Sequence, residues 1–223
     1  MGKMVLNLIN KSRGKRMRNL LVISSPGDEA VCFGGLLQKH PGEWTITSVL
    51  KNPVYEETNE ELMTSFKKSA GLLGAARVLS LDFPEMQVPL YSIDSIAEEL
   101  RLLQGYDKIF TYSIMEDSLE RQITSVAAAK AFNRIYVRSI GGSSDIVITL
   151  SKEEFCNKIK AINDNYGKRI VRRKNISAVE IKDVESYQEY NSADLIKYYY
   201  ENFRLPVYDF SEQSVLLPTL VKD

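Results

Sequence analysis

A strand–turn–helix pattern at residues 20–37 constrains the fold of this chain more than any other part of the sequence. It begins with four consecutive apolar residues at 20–23, which predict a short strand buried on both faces. A polar turn containing Pro26 and Gly27 follows, and from Glu29 onward the apolar residues recur at helical spacing. Ligands of open α/β sheets bind where strands end and helices begin, so this turn is predicted to form one wall of a site.

The same alternation of strands and helices continues along most of the chain. Further strands are predicted at 44–50, 77–83, 108–112, 135–137 and 146–150. Further helices are predicted at 59–73, from 92 or 94 to about 104, at 119–132 and from 152 to about 163. The alternation predicts the α/β class, as a Rossmann-like three-layer sandwich with a mostly parallel sheet. We interpret residues 1–18 as a basic N-terminal arm and 19–223 as a single domain.

The last quarter of the chain follows a weaker pattern. An edge strand is predicted at 176–181, and a tyrosine-rich segment is predicted to become helical from Ala193. The spacing of these tyrosines suits packing against the domain, although stacking on bases or sugars is the alternative.

The composition limits the classes of partner and the compartment. Lys and Arg together number 29, as do Asp and Glu, so any preference for nucleic acid must come from a local patch. No apolar run approaches the roughly 20 residues of a membrane span, and no signal-peptide pattern is present. Cys32 and Cys156 are both expected to be reduced, buried thiols, which fits a cytoplasmic protein.

The single histidine excludes one kind of metal site. A zinc site rich in histidine cannot be built from one copy of a chain that contains only His40. His40 precedes Pro41 at the end of a predicted helix, and we interpret it as a capping residue.

Two basic clusters occur in this otherwise neutral chain. One is the arm at 1–18, and the other packs five positive charges into seven residues at 168–174. The second cluster consists of Lys168, Arg169, Arg172, Arg173 and Lys174. A solvated surface is the simpler interpretation, and binding of a nucleic acid or another polyanion is the alternative.

The turn after the first strand resembles that of a known family. Residues 25–29 read Ser-Pro-Gly-Asp-Glu, and a Gly-Gly pair follows at 34–35. This frame resembles the His-Pro-Asp-Asp-Glu turn and the glycine pair of the PIG-L/LmbE family of zinc-dependent sugar deacetylases. The family's metal-binding His falls on Ser25 and its general-base Asp on Gly27, while a metal-binding Asp is kept as Asp28. The resemblance covers about residues 19–165 and implies the family's fold.

The resemblance also implies that the zinc chemistry has been lost. The family's second metal-binding His follows the fourth strand, where this sequence has no histidine and instead has Glu120 and Arg121. A permanently charged arginine opposes the binding of a metal ion. We therefore expect no zinc and no other cofactor. A carboxylate-only site for Mg²⁺ or Mn²⁺ is the alternative. Its ligands would come from Asp28, Glu29, Asp117 and Glu120.

The candidate site residues all lie on predicted turns at one edge of the sheet or on the helices that follow them. Catalytic roles are predicted for the carboxylates Asp28, Glu29 and Asp117. Contacts to substrate are predicted for Ser25, Gly27, Tyr55, Glu116, Glu120 and Arg121. A structural alternative for Asp28 and Glu29 is that they stabilise the helix N-terminus through its dipole.

Two functions follow as hypotheses. The first is an enzyme that binds a sugar or nucleotide sugar and transfers the sugar to a nucleic acid or another polyanion, with a carboxylate activating the acceptor hydroxyl. The second is a non-catalytic pseudo-deacetylase that binds a sugar, a nucleotide or a protein. A deacetylase with a rebuilt metal site is a third, less favoured hypothesis. The sequence does not define an oligomeric state.

Overall fold

Strand β1, Asn19–Ile23, forms the centre of the fold. The computed structural model describes residues 18–51, 59–84, 93–116, 118–139, 144–172 and 182–202. All residues of β1 are buried. Leu20 and Val22 belong to one apolar core cluster. Leu21 and Ile23 belong to a second, so this strand is buried on both faces, as predicted.

The other elements alternate along the chain. The remaining strands are β2 (Trp44–Lys51), β3 (Ala75–Pro84), β4 (Lys108–Thr111), β5 (Arg134–Arg138), β6 (Ile146–Thr149) and β7 (Val184–Asn191). The helices are α1 (Asp28–Lys39), α2 (Asn59–Leu72), α3 (Ile93–Arg101), α4 (Leu119–Ala131), α5 (Lys152–Arg172) and α6 (Ser192–Asn202).

These strands form one mixed sheet with the order β3-β2-β1-β4-β5-β7-β6. The pairs β1–β2, β2–β3, β1–β4 and β4–β5 are parallel, whereas β7 runs antiparallel to β5 and β6. The chain passes from β1 outward to β2 and β3, and then returns to place β4 on the other side of β1. The strand order therefore reverses between β1 and β4, which is where sheets of this kind bind ligands.

Helices cover both faces of the sheet. Helices α3, α4 and α6 pack over one apolar cluster, and α1, α2 and α5 pack over the other. Two helical layers with a mostly parallel sheet between them make a three-layer α/β sandwich, which confirms the predicted fold class.

The structure corrects three details of the sequence analysis. Helix α5 continues to Arg172 rather than ending near residue 163. A strand, β7, precedes the predicted helix α6, and the whole of the predicted edge strand at 176–181 lies outside the described residues. Cys32 is buried as expected, but Cys156 is exposed because it lies on the outer side of α5.

Other expectations agree with the fold. His40 is the C-cap residue of α1. Tyr187 and Tyr199 are completely buried, which supports the packing interpretation for these two tyrosines. Within the described part of the chain, none of the helices combines the length and the apolar character that crossing a bilayer requires.

Candidate functional site

Several of the predicted site residues lie where β1 and β4 end side by side. The turn after β1 spans residues 24–27 and leads into α1, and the loop after β4 leads through Glu116 to α4. Asp28, the first residue of α1, faces Arg121 in the first turn of α4. The topology thus joins side chains that are 93 positions apart in the sequence.

Asp28 is held by three neighbours. Its Oδ1 accepts a hydrogen bond from Nη2 of Arg121 at 2.8 Å. Its Oδ2 accepts hydrogen bonds from the hydroxyls of Tyr112 at 2.6 Å and Ser24 at 2.8 Å. Burial alone would raise the pKa of Asp28, but the charge and the hydrogen bond of Arg121, with the two hydroxyls, hold that pKa below its usual value. Asp28 is therefore an ionised carboxylate with both oxygens engaged.

Arg121 links Asp28 to a longer row of alternating charges. Its Nη1 donates to Oε2 of Glu116 at 3.2 Å, and Nη1 of Arg138 donates to Oε1 of the same glutamate at 3.4 Å. The side chains of Asp28, Arg121 and Arg138 are each about 15% exposed, and that of Glu116 is 8% exposed. We call these four residues the carboxyl-edge cluster. Its charges balance, and each of its members retains a narrow contact with solvent.

Glu29 lies next to Asp28 in sequence but in a different environment. It is fully buried, and its carboxylate accepts hydrogen bonds from the N–H of Gly27 at 2.6 Å and the hydroxyl of Tyr166 at 2.8 Å. Burial raises the pKa of Glu29 to about 7, although these hydrogen bonds favour the charged form. Near neutral pH this carboxyl is therefore poised between its two protonation states.

Gly27 allows the turn to take this shape. Its φ angle is +108°, a conformation that residues with a Cβ atom rarely adopt. Its N–H points to Glu29, and its carbonyl accepts the N–H groups of Ala30 and Val31 at 3.2 and 3.1 Å. The backbone groups of Gly27 thus form hydrogen bonds with the carboxylate of Glu29 and with the first turn of α1.

The residues of this site do not fit the zinc ion that the family resemblance implies. Both oxygens of Asp28 are engaged, and the guanidinium of Arg121 lies 2.8 Å from one of them. A zinc ion beside this permanent positive charge would be repelled. Across the described ranges, no group of three or more His, Cys, Asp or Glu side chains is arranged to hold a metal ion. Asp117, one of the proposed carboxylate ligands, lies outside those ranges.

The structure places most of the predicted site residues. Asp28, Glu116 and Arg121 come together, and Ser25 and Gly27 are half-buried in the adjoining turn. Glu120 is half-buried at the start of α4. The remaining predictions concern residues or side chains outside the described part of the chain: Tyr55, Asp117, Arg173 and Lys174, and the side chains of Lys168, Arg169 and Arg172 at the end of α5.

Four residues that contact Asp28, Glu29 or Glu116 were not predicted from the sequence. Tyr112 and Arg138 follow or end the neighbouring strands β4 and β5, and Ser24 directly follows β1. Their positions at the carboxyl ends of strands were a usable signal, because such ends meet at one edge of a parallel sheet. Tyr166 had no such signal, since it reaches Glu29 from α5, 137 positions away.

Comparison with known proteins gives a consistent fold and no sequence match. No family model matches this sequence, and no curated protein matches it. Among solved structures, the chain is similar to the conserved protein TT1542 from Thermus thermophilus, with 15% identity, coverage of 77% of this chain and 94% of that one, and a TM-score of 0.59.

Two deacetylases are similar to the same extent. One is the N,N'-diacetylchitobiose deacetylase from Pyrococcus horikoshii, with 15% identity, coverage of 87% of this chain and 89% of that one, and a TM-score of 0.57. The other is a triple mutant of a deacetylase involved in teicoplanin biosynthesis, with 14% identity, coverage of 80% and 100%, and a TM-score of 0.62. The chain therefore has the PIG-L/LmbE-like fold that the turn at 25–29 predicted.

Proposed function

We propose that this protein binds a sugar or a nucleotide sugar at the carboxyl-edge cluster and does not hydrolyse acetamides through a bound zinc ion. The observation that carries this proposal is the hydrogen-bonded ion pair between Asp28 and Arg121. Asp28 is the one acidic metal ligand of the family that this sequence keeps, and an arginine neutralises it there. The pair lies at the switch point of the sheet, the edge at which sheets of this kind bind ligands.

The chemistry of the cluster suits sugar hydroxyl groups. A hydroxyl both donates and accepts hydrogen bonds, and the cluster alternates carboxylate acceptors with guanidinium donors over Asp28, Arg121, Glu116 and Arg138. Charge-assisted hydrogen bonds of this kind are stronger than neutral ones. The similar P. horikoshii protein is a deacetylase of a disaccharide, which supports a sugar as the ligand class. The two arginines add donors for the phosphate of a nucleotide sugar.

Glycosyl transfer is the second candidate function. It is favoured by Glu29, whose pKa of about 7 is suited to proton transfer at neutral pH. Asp28 is a weak base by comparison, because its pKa is lowered and both of its oxygens are engaged. An acceptor hydroxyl would have to reach a carboxyl that is fully buried, or use Asp117 instead. The proposed acceptor is a nucleic acid or another polyanion, bound by the basic residues at 168–174.

Binding is tested by calorimetry and thermal shift with UDP-N-acetylglucosamine, UDP-glucose, N-acetylglucosamine and diacetylchitobiose. We expect at least one of them to bind and to raise the melting temperature. Arg121→Met should weaken that binding roughly tenfold or more, since it removes a charge-assisted contact. Arg77→Met is the matched control, because Arg77 is exposed on β3, and it should bind like the wild type. Absence of binding by all four compounds would contradict the proposal.

Turnover is tested with the compound that binds, using mass spectrometry of the products. Transfer of the sugar to added DNA, lost in Glu29→Gln or Asp117→Asn, would establish the second candidate. Binding without any product would support a non-catalytic sugar-binding protein. Release of acetate that depends on added zinc would overturn the proposal, because it would require a metal site beside Arg121.

A further inference from the structure

The backbone N–H groups at the start of α1 have partners within the protein. Helix N-termini of α/β sheets often bind phosphate through such groups, and this one lies at the switch point of the sheet. Here the N–H of Gly27 donates to the carboxylate of Glu29 at 2.6 Å. The N–H groups of Asp28 and of residues 30–31 donate to backbone carbonyls of the turn at 24–27. These backbone donors are therefore not available to a phosphate.

The side chains at this edge of the sheet carry no excess of positive charge. The two Nη atoms of Arg121 lie 2.8 Å from Oδ1 of Asp28 and 3.2 Å from Oε2 of Glu116. Within the described part of the chain, Glu116 is the only carboxylate within 4 Å of Arg138. Glu120, half-buried in the first turn of α4, adds a further carboxylate. Carboxylates thus balance or outnumber the guanidinium groups here, so an added anion meets no net attraction.

Glu116 lies between the two arginines and pairs with both. Its Oε2 accepts a hydrogen bond from Arg121, and its Oε1 accepts one from Arg138. Gln122 donates to the backbone carbonyl of Glu116 at 2.6 Å, which holds the loop that carries this glutamate. The side chain of Glu116 is 8% exposed, whereas those of Arg121 and Arg138 are 16% and 15% exposed. Each arginine therefore reaches solvent with its charge already compensated by a more buried carboxylate.

Given the proposed sugar site, on which this step rests, we propose that Glu116 makes that site selective for an uncharged sugar over a phosphorylated sugar or a nucleotide sugar. The hydroxyls of an uncharged sugar can accept hydrogen bonds from Arg121 and Arg138 without any net positive charge. A phosphate would give up water for arginines that are already paired, and removing a charge from water without a compensating partner is unfavourable. Glu116 is thus a specificity-determining residue, because it acts through the charge of the two arginines.

The wild-type full chain tests this selectivity by calorimetry with uncharged and anionic sugars. The uncharged probes are N-acetylglucosamine and diacetylchitobiose, and the anionic probes are N-acetylglucosamine 6-phosphate and UDP-N-acetylglucosamine. We expect the tighter-binding uncharged sugar to bind roughly tenfold or more tightly than either anionic probe. Equal or tighter binding of an anionic probe would overturn the selectivity while supporting the proposed sugar site. Absence of binding by all four compounds would instead contradict that site, and the selectivity with it.

Glu116→Gln tests whether the charge of this residue causes the selectivity. The glutamine has nearly the same shape but leaves each of the two arginines with one carboxylate fewer. The affinity of N-acetylglucosamine 6-phosphate, relative to that of the uncharged sugar, should rise roughly tenfold or more, and this gain should diminish at high salt. An unchanged relative affinity in a folded Glu116→Gln protein would overturn the role of Glu116.

Two further variants serve as controls for this test. Glu116→Asp keeps the negative charge and should keep the preference for the uncharged sugar, so loss of the preference in this variant would also overturn the proposal. Glu98→Gln changes an exposed glutamate of α3 and should bind every probe like the wild type. If Glu116→Gln fails to fold, the wild-type comparison and Glu116→Asp still decide the outcome.

Discussion

Two clusters of paired charges in this molecule differ in their contact with water. In the carboxyl-edge cluster, the side chains of Asp28 and Arg121 are 15% and 16% exposed. On the same side of the sheet as α1, the ion pair between Lys158 of α5 and Glu185 of β7 has side chains only 1% and 2% exposed, at a distance of 2.7 Å. The first pair lies at the switch point of the sheet, and the second is sealed within the core.

The sealed pair is fully satisfied by the fold. Glu185 accepts hydrogen bonds from the N–H groups of Gly35 and Leu36 and from the hydroxyl of Tyr187, in addition to Lys158. A buried ion pair is tolerated only when its remaining hydrogen-bonding capacity is used in this way. Pairs of a carboxylate and a cation thus occur in two different settings in this fold. The sealed pair joins α1, α5 and β7, whereas the side chains of the carboxyl-edge cluster keep some contact with solvent.

Breaking the sealed pair should have the largest effect on stability. Lys158→Met leaves the carboxylate of Glu185 without its cation in a site with almost no access to water. We expect the free energy of unfolding to fall by about 3–5 kcal/mol, measured by urea denaturation at pH 7. Lys160→Met, on the exposed side of the same helix, should change it by less than about 0.5 kcal/mol. Equal stabilities of the two variants would show that the sealed pair does not hold the core.

Glu29 should dominate the pH dependence of stability. Burial raises the pKa of Glu29 in the folded protein to about 7, whereas the ordinary pKa of a glutamate is 4.5. The stabilising contribution of the protonated form is therefore complete below about pH 4.5, and is lost as the pH rises through about 7. Between pH 4 and pH 8 it amounts to about 3 kcal/mol. Glu29→Gln cannot release this proton, so its stability should decline less over the same range.

The control for this prediction is Glu98→Gln, which changes an exposed glutamate of α3. It should leave the pH profile of the wild type unchanged when denaturation is measured at several pH values. A Glu29→Gln profile parallel to that of the wild type would mean that Glu29 is already ionised in the folded protein well below pH 7.

The order of elements could be predicted from the sequence because it depends on local hydrophobic periodicity. The apolar run at 20–23 and the helical spacing after Glu29 are both local patterns, and the structure contains both elements. Strand β7 was missed because its inward-facing Glu185 interrupts the apolar pattern, and its burial depends on Lys158 from another element. The length of α5 was underestimated because Tyr166 is held by Glu29, a contact invisible in the local sequence.

The candidate site could be predicted only in part, for a similar reason. Asp28 and Arg121 were each identified by position in the family frame, but their mutual ion pair depends on the adjacency of β1 and β4. Arg138 enters the cluster only because β5 lies next to β4. Long-range pairings of this kind follow from topology, which no local pattern specifies.

Substitution of Gly35 by alanine should show how tightly the region around the sealed pair is packed. A Cβ atom on Gly35 would lie 2.5 Å from Cδ1 of Leu150 and 2.9 Å from Cδ of Glu185. Gly35→Ala should therefore lower the free energy of unfolding by about 1–3 kcal/mol, since the core must shift to admit it. Gly71→Ala on α2 is the matched control, because nothing lies within 4 Å of its Cβ position. It should instead raise stability by about 0.5 kcal/mol in the same denaturation assay.

The smallest stability effect is expected at the carboxyl edge. Arg121→Met removes the cation from Asp28 but leaves the hydroxyls of Tyr112 and Ser24, so we expect a loss of about 1–2 kcal/mol at pH 7. Arg121→Met should also reverse the direction in which the contribution of Asp28 to stability changes with pH. In the wild type, the lowered pKa of Asp28 gives stability that is present above its ordinary value of 3.8 and is lost as the pH falls.

Without Arg121, burial raises the pKa of Asp28, and its contribution should instead be lost as the pH rises. Denaturation of Arg121→Met and of Arg121→Lys from pH 3 to pH 7 separates these cases, because a lysine keeps the charge without the guanidinium fork. We expect Arg121→Lys to keep the pH profile of the wild type while losing affinity for the sugar ligand. A loss of about 3 kcal/mol or more in Arg121→Met, matching Lys158→Met, would mean that this cluster is as sealed as the core pair and is not open to a ligand.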